Sequence, residues 1–93
     1  MSNIVPTLSK FQWCMTCIAC PVQFDIYNNF GDRIAYFRFR GGILSVYNYN
    51  ENEIGDDLIY LDDTTYEGGY LSQKELDEIV PIVEQKIKEY LAY

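Results

Sequence analysis

From residue 23 onward the chain alternates between apolar and polar positions, and the alternation predicts strands. Gln23-Phe24-Asp25-Ile26-Tyr27 reads as the first clear one. Residues 28–32, Asn-Asn-Phe-Gly-Asp, are a cluster of turn formers. Residues 33–40 form a β-rich run, and Gly41-Gly42 makes a tight turn into a third strand over residues 43–49. Residues 50–57 read as a polar loop, residues 58–61 as a short fourth strand at an edge, and residues 64–69 as a loop closed by Gly68-Gly69. The period then changes from two to 3.6. Ser72 and Glu75 make an S-x-x-E capping box, and Leu76, Ile79, Val80, Val83, Ile87 and Leu91 follow on one helical stripe. Pro81 falls inside that stripe and predicts a kink in one continuing helix. Residues 11–22 are apolar-rich without clean alternation and fit a strand, a short helix or both in succession.

Strands followed by a helix predict an α+β fold: a single domain over residues 1–93, with an antiparallel meander of about four strands and the kinked C-terminal helix packed on one face. Ala35, Phe37 and Phe39 share a strand face, as do Leu44 and Val46, and Ile59 and Leu61. With the helix stripe these form the expected core. The opposite face then carries Tyr36, Arg38 and Arg40, with Tyr47, Tyr49 and Tyr60 on neighbouring strands. A slip of one residue in register would exchange the two faces.

Charge adds a second layer. Glu51, Glu53, Asp56, Asp57, Asp62, Asp63 and Glu67 are seven acids in a stretch, residues 41–73, that holds no Lys or Arg. Such like charges repel, so they serve either solubility or an encounter with a basic partner. Tyr47, Tyr49 and Tyr60 lie just before or among them, and acids beside rigid aromatic hydrogen-bonding groups suit a protein interface. A net charge of −7 opposes direct contact with nucleic-acid phosphates and with anionic membranes. An apolar fraction of 48% is that of a folded globule. Residues 1–6 lack a secretory signal, no apolar run could span a bilayer, and three cysteines fit a reducing compartment. The expected location is the cytoplasm.

Cys14, Cys17 and Cys20 have the two-residue spacing used by metal sites. The chain has no histidine and no fourth cysteine, so a closed tetrahedral site of N and S donors cannot be built from one chain. As small apolar residues the three need no ligand, and no cofactor or metal is expected. With no histidine a Ser or Cys lacks its usual base, and no carboxylate pair stands out, so no catalytic residue is expected. Residues 50–57 depart from a calcium loop because Ile54 occupies a ligand position. Tyr36, Arg38, Arg40 and Tyr47, with Tyr49, could instead clamp a nucleotide or other anion, Arg supplying paired donors and Tyr a stacking surface. Cross-strand charge pairing would explain the same arginines.

Cys20-Pro21-Val22-Gln23, Gly31 and the run Tyr36-Phe37-Arg38-Phe39-Arg40-Gly41-Gly42 resemble a pattern shared by small proteins of bacteria and their phages. Those proteins have Ala-Pro-Val-Gln, a spacer with Gly, then Phe-Tyr-Phe-Arg and a Gly turn; here Cys20 stands in place of the Ala. More broadly the chain resembles acidic phage accessory proteins that block host factors, defence nucleases among them. The resemblance implies a non-enzymatic inhibitor of a host protein, such as a CRISPR effector, that occupies a basic surface by mimicking phosphates. The protein would act in the host cytoplasm as a monomer or small homo-oligomer. The alternative is a protein that binds a nucleotide signal on the Tyr/Arg face.

Overall fold

The computed structural model describes residues 5–17, 22–40, 42–50, 53–62 and 71–91. Among them, five strands, β1 (Gln12–Cys17), β2 (Val22–Tyr27), β3 (Arg33–Arg40), β4 (Ile43–Asn50) and β5 (Glu53–Asp62), precede one helix, α1 (Gln73–Leu91). The sheet order is β1-β2-β3-β4-β5 with every neighbouring pair antiparallel, so β1 and β5 are its edges among the described residues. The α+β meander with its C-terminal helix is as expected, with one strand more than the four read from the sequence.

The extra strand is β1. Its alternation is regular once the cysteines are not counted as apolar. Trp13 and Met15 pack against the core, while Gln12, Cys14 and Thr16 are exposed. Trp13 lies within 5.5 Å of Phe24 and 5.1 Å of Phe37, ring centre to ring centre, and Phe24 meets Phe37 edge-on at 5.6 Å. These rings, with Ile26, Ala35, Phe39, Leu44 and Val46, form the sheet side of the core. The helix side is Leu76, Ile79, Val80, Val83 and Ile87.

The helix begins where the capping box placed it. Ser72 N donates to Glu75 Oε1 at 2.9 Å and Glu75 N to Ser72 Oγ at 3.1 Å, satisfying two of the donors a helix start leaves orphaned. It runs unbroken through Pro81, which is exposed. Between β2 and β3 the turn is held by Asn28, whose Oδ1 accepts from Phe30 N and Asp32 N, each at 2.9 Å. Gly31 supplies the left-handed φ of 87°.

The largest departure from expectation lies in β5. Residues 50–57 are mostly not a loop: β4 runs to Asn50 and β5 starts at Glu53. Glycine and paired acids there resemble loop chemistry, but they build a bulge. Tyr49 pairs with Ile54 and Tyr47 with Leu58, so three residues of β5 lie opposite Asn48. The buried Asn48 side chain fills the gap and accepts from Asp57 N at 3.1 Å. A Cβ on Gly55 would stand 2.1 Å from Asn48 Oδ1, which explains the glycine. Gly55→Ala is expected to destabilise the fold by about 1–3 kcal/mol, the usual cost of overpacking, readable by urea denaturation.

A second register shift follows. Val46 pairs with Tyr60 and Tyr47 with Leu58, which leaves Ile59 as an extra residue. This reverses part of the expected face assignment. Tyr60 turns toward the core beside Ile59, whereas Leu61, opposite Ser45, is 51% exposed on the outer face. Period-two counting carried through a bulge produces that inversion.

Candidate functional site

Helix α1 covers one face of the sheet; among the described residues nothing covers the other. Cross-strand partners share a face, so the registers lay out rows on it. One row is Cys14, Asp25, Tyr36, Tyr47 and Leu58; the next is Gln23, Arg38, Ser45 and Leu61. Tyr36, Arg38 and Tyr47 therefore do come together as expected, and Tyr49 joins them. The side chain of Arg40 lies outside the described residues. The exposed Cys14 stands at the β1 end of its row, while the side chain of Cys17 and all of Cys20 lie outside the described residues.

Inside this face sits a polar knot that sequence reasoning missed. Asp25 is buried, and its carboxylate accepts from Tyr49 Oη at 2.5 Å and from Arg33 Nη1 at 3.3 Å. The Arg33 guanidinium also lies 4.4 Å from the centre of the Tyr49 ring, which meets Tyr36 edge-on at 6.4 Å. Burial, the bond to Asp25 and the nearby carboxylate charge push the Tyr49 hydroxyl far above its ordinary value. Tyr49 is thus a structural member of the face and is not free to meet a partner with its hydroxyl. The readable signal was alternation, which puts Asp25 on the Tyr/Arg side of its strand. Next to the knot, Arg38 Nε is buried with no hydrogen-bond partner among the described residues.

Toward the free edge the face becomes apolar. Ile43, Ile54, Leu58 and Leu61 are between 45% and 51% exposed. Ile54, Leu58 and Leu61 lie opposite Tyr49, Tyr47 and Ser45. Tyr47 completes the stripe beside a strand whose outer backbone groups have no partner strand among the described residues. Exposed apolar patches of this kind mark interaction sites.

Of the expected acidic residues, the side chains of Asp57 and Asp62 are described. Asp57 is exposed, and its Oδ2 accepts from Tyr90 Oη at 2.5 Å, tying β5 to the end of α1 and raising the Tyr90 hydroxyl above its ordinary value. Asp62 pairs with the core-facing Leu44, at the inward side of the strand end. Burial first, then the Asp62 charge, raises the Tyr60 hydroxyl. Tyr47 and Tyr49 face outward and Tyr60 inward, so the three tyrosines are divided between the faces. Glu51 and Asp63 lie outside the described residues, as do the side chains of Glu53 and Asp56.

Among the described residues no helix is long and apolar enough to cross a membrane. Comparison of the chain with protein-family models, with curated proteins and with solved structures returned no match.

Proposed function

We propose that this is a non-enzymatic acidic binding protein that inhibits a basic-surfaced protein by docking the β4–β5 half of its open sheet face onto it. The observation that carries the reading is the stripe of half-exposed Ile43, Ile54, Leu58 and Leu61 with Tyr47, on and beside a strand that is the sheet's edge among the described residues and that also carries Glu53, Asp56, Asp57 and Asp62. An apolar stripe on a strand rich in acids suits a protein interface with a basic partner. The charge selects the occupant. A second copy of this chain would bring two −7 molecules together at their acidic edges, whereas a Lys/Arg-rich surface would be steered in. The broader resemblance to acidic phage accessory proteins makes a nucleic-acid-binding defence factor of the bacterial host, acting in its cytoplasm, the partner class to try first.

The test separates apolar contact from steering. Leu58→Ser and Leu61→Ser alter half-exposed positions and should leave the far-ultraviolet circular dichroism unchanged. Each is expected to weaken a captured partner by about tenfold, chiefly through faster dissociation. Replacing Glu51, Glu53 and Asp56 by their amides, and sparing Asp57 for its bond to Tyr90, should slow association and flatten its salt dependence. Unchanged rates in both sets would remove the reading.

A second reading rests on the unpaired Arg38 Nε: a nucleotide or similar anion held by Tyr36, Arg38, Arg40 and Tyr47. Such a ligand would raise the melting temperature by mass action, and the rise would disappear in Arg38→Gln.

A further inference from the structure

At the opposite end of the molecule, the turn between β2 and β3, the segment before β1 and the last turns of α1 surround an open cleft of about 530 Å³. Its lining is Lys10, Phe11, Asn28, Asn29, Phe30 and Lys88. A smaller cleft of about 190 Å³ shares Lys10 and Lys88 with it. The chain has seven Lys and Arg against fourteen acids, yet two of the seven converge here. Neither forms an ion pair with a carboxylate among the described residues, where the ion pairs are Arg33–Asp25 and Lys86–Glu89. Glu84 lines the smaller cleft, but its oxygens already accept from Lys10 N, Phe11 N and Trp13 Nε1 at 3.0–3.1 Å. The Lys10 ammonium, with some desolvation, pushes Lys88 below its ordinary value, and Glu84 offsets this in part. Two like charges held together in an acidic chain are a cost that a bound anion would remove.

Phe30 gives the second half of the site. It is 89% exposed at the tip of the turn and outside the core. The Asn28 hydrogen bonds fix the backbone of the turn, so that binding has to order only the rotamers of the ring. Phe11, itself buried, adds an apolar lining, and Asn29 an exposed amide.

We propose that this cleft binds a small anion bearing an aromatic ring, of mononucleotide size, with its phosphate between Lys10 and Lys88 and its ring on Phe30. The volume lies within the range of small-molecule sites, and two ammonium groups give charge-assisted bonds to phosphate oxygens. The −7 field opposes a long polyanion, so the ligand is a single nucleotide and not a nucleic acid. The site is separate from the β4–β5 stripe and does not depend on it.

The experiment is a titration of the isotopically labelled protein with adenosine monophosphate, followed by amide chemical shifts, with adenosine and inorganic phosphate as controls. Saturable shifts are expected at Lys10, Asn29, Phe30 and Lys88, with both controls binding more weakly. Lys88→Gln should weaken the nucleotide by about tenfold, the equivalent of one charge-assisted contact. Phe30→Ala, at a position outside the core, should bring the nucleotide down to the affinity of inorganic phosphate. Absence of saturation at millimolar nucleotide, shifts centred on Tyr36 and Arg38, or adenosine binding as tightly as the monophosphate would each overturn the proposal.

Discussion

Glu84→Ala is expected to lower the stability of the fold by about 2–4 kcal/mol, because it strands one buried and two part-buried donors at once. Glu84 is 5% exposed, and its carboxylate accepts from Lys10 N, Phe11 N and Trp13 Nε1. It is the deepest of three helix side chains on one stripe that hold the segment before β1. Gln73 exchanges bonds with the Val5 backbone, and Asp77 accepts from Thr7 N at 2.9 Å and Thr7 Oγ1 at 2.8 Å. Truncation leaves a Trp indole and two backbone amides without an acceptor, while the helix and the remaining strands keep their pairing. Urea denaturation measures the loss, and hydrogen exchange should show it first at Lys10, Phe11 and Trp13. A loss below about 1 kcal/mol, the level of an ordinary surface change, would mean that water replaces the carboxylate. The Asp77 contact adds a pH signature. Bonds from the Thr7 backbone and hydroxyl, and from Gln73, hold Asp77 below its ordinary value despite slight desolvation. Its contribution is therefore present above the unfolded carboxyl value and is lost as pH falls through the depressed folded one. Asp77→Asn should flatten the acid limb of the stability profile.

Phe37→Ala is expected to cost about 3–5 kcal/mol, the range for a buried aromatic replaced by alanine. Phe37 is fully buried in the central strand and touches the rings of both Trp13 and Phe24. Its loss opens a cavity between the sheet and α1 that neither neighbour can fill by rotation alone. A domain of this size has only about 5–15 kcal/mol in all, so the variant should unfold at a much lower urea midpoint. Tyr36 and Arg38 flank it on the opposite face, so the outer face should loosen in the same transition. Phe30→Ala, at an exposed aromatic, should leave the midpoint almost unchanged and serves as the matched control.

Much of the fold was legible because most of the chain obeys one period at a time. Phe37, Phe39, Leu44, Val46 and the helix stripe lie where alternation and 3.6-residue spacing put them, and the Ser72–Glu75 box starts the helix. The failures share a physical cause. β1 was hidden because Cys14 and Cys17 counted as apolar and blurred the alternation of Trp13 and Met15. In β5, Gly55 and the acids imitate a loop, while the Asn48 side chain supplies the missing backbone acceptor. The bulge at Ile59 then exchanged Tyr60 and Leu61 between faces. The candidate surface was half legible. The Tyr36, Arg38 and Tyr47 grouping followed from register, but the apolar stripe depended on the bulges. The Asp25 knot, the Glu84 clasp and the Lys10–Lys88 pair join residues from distant parts of the chain: alternation puts Asp25 on the outer face, but no local pattern pairs these side chains with their partners.

The most direct test of docking through the β4–β5 half of the open face is hydrogen exchange on the complex with the captured partner. The prediction is added protection across residues 43–62, greatest in β5, whose outer amides have no partner strand among the described residues, with β1 and α1 unchanged. Protection confined to β1 or α1, with residues 43–62 exchanging as in the free protein, would contradict the account.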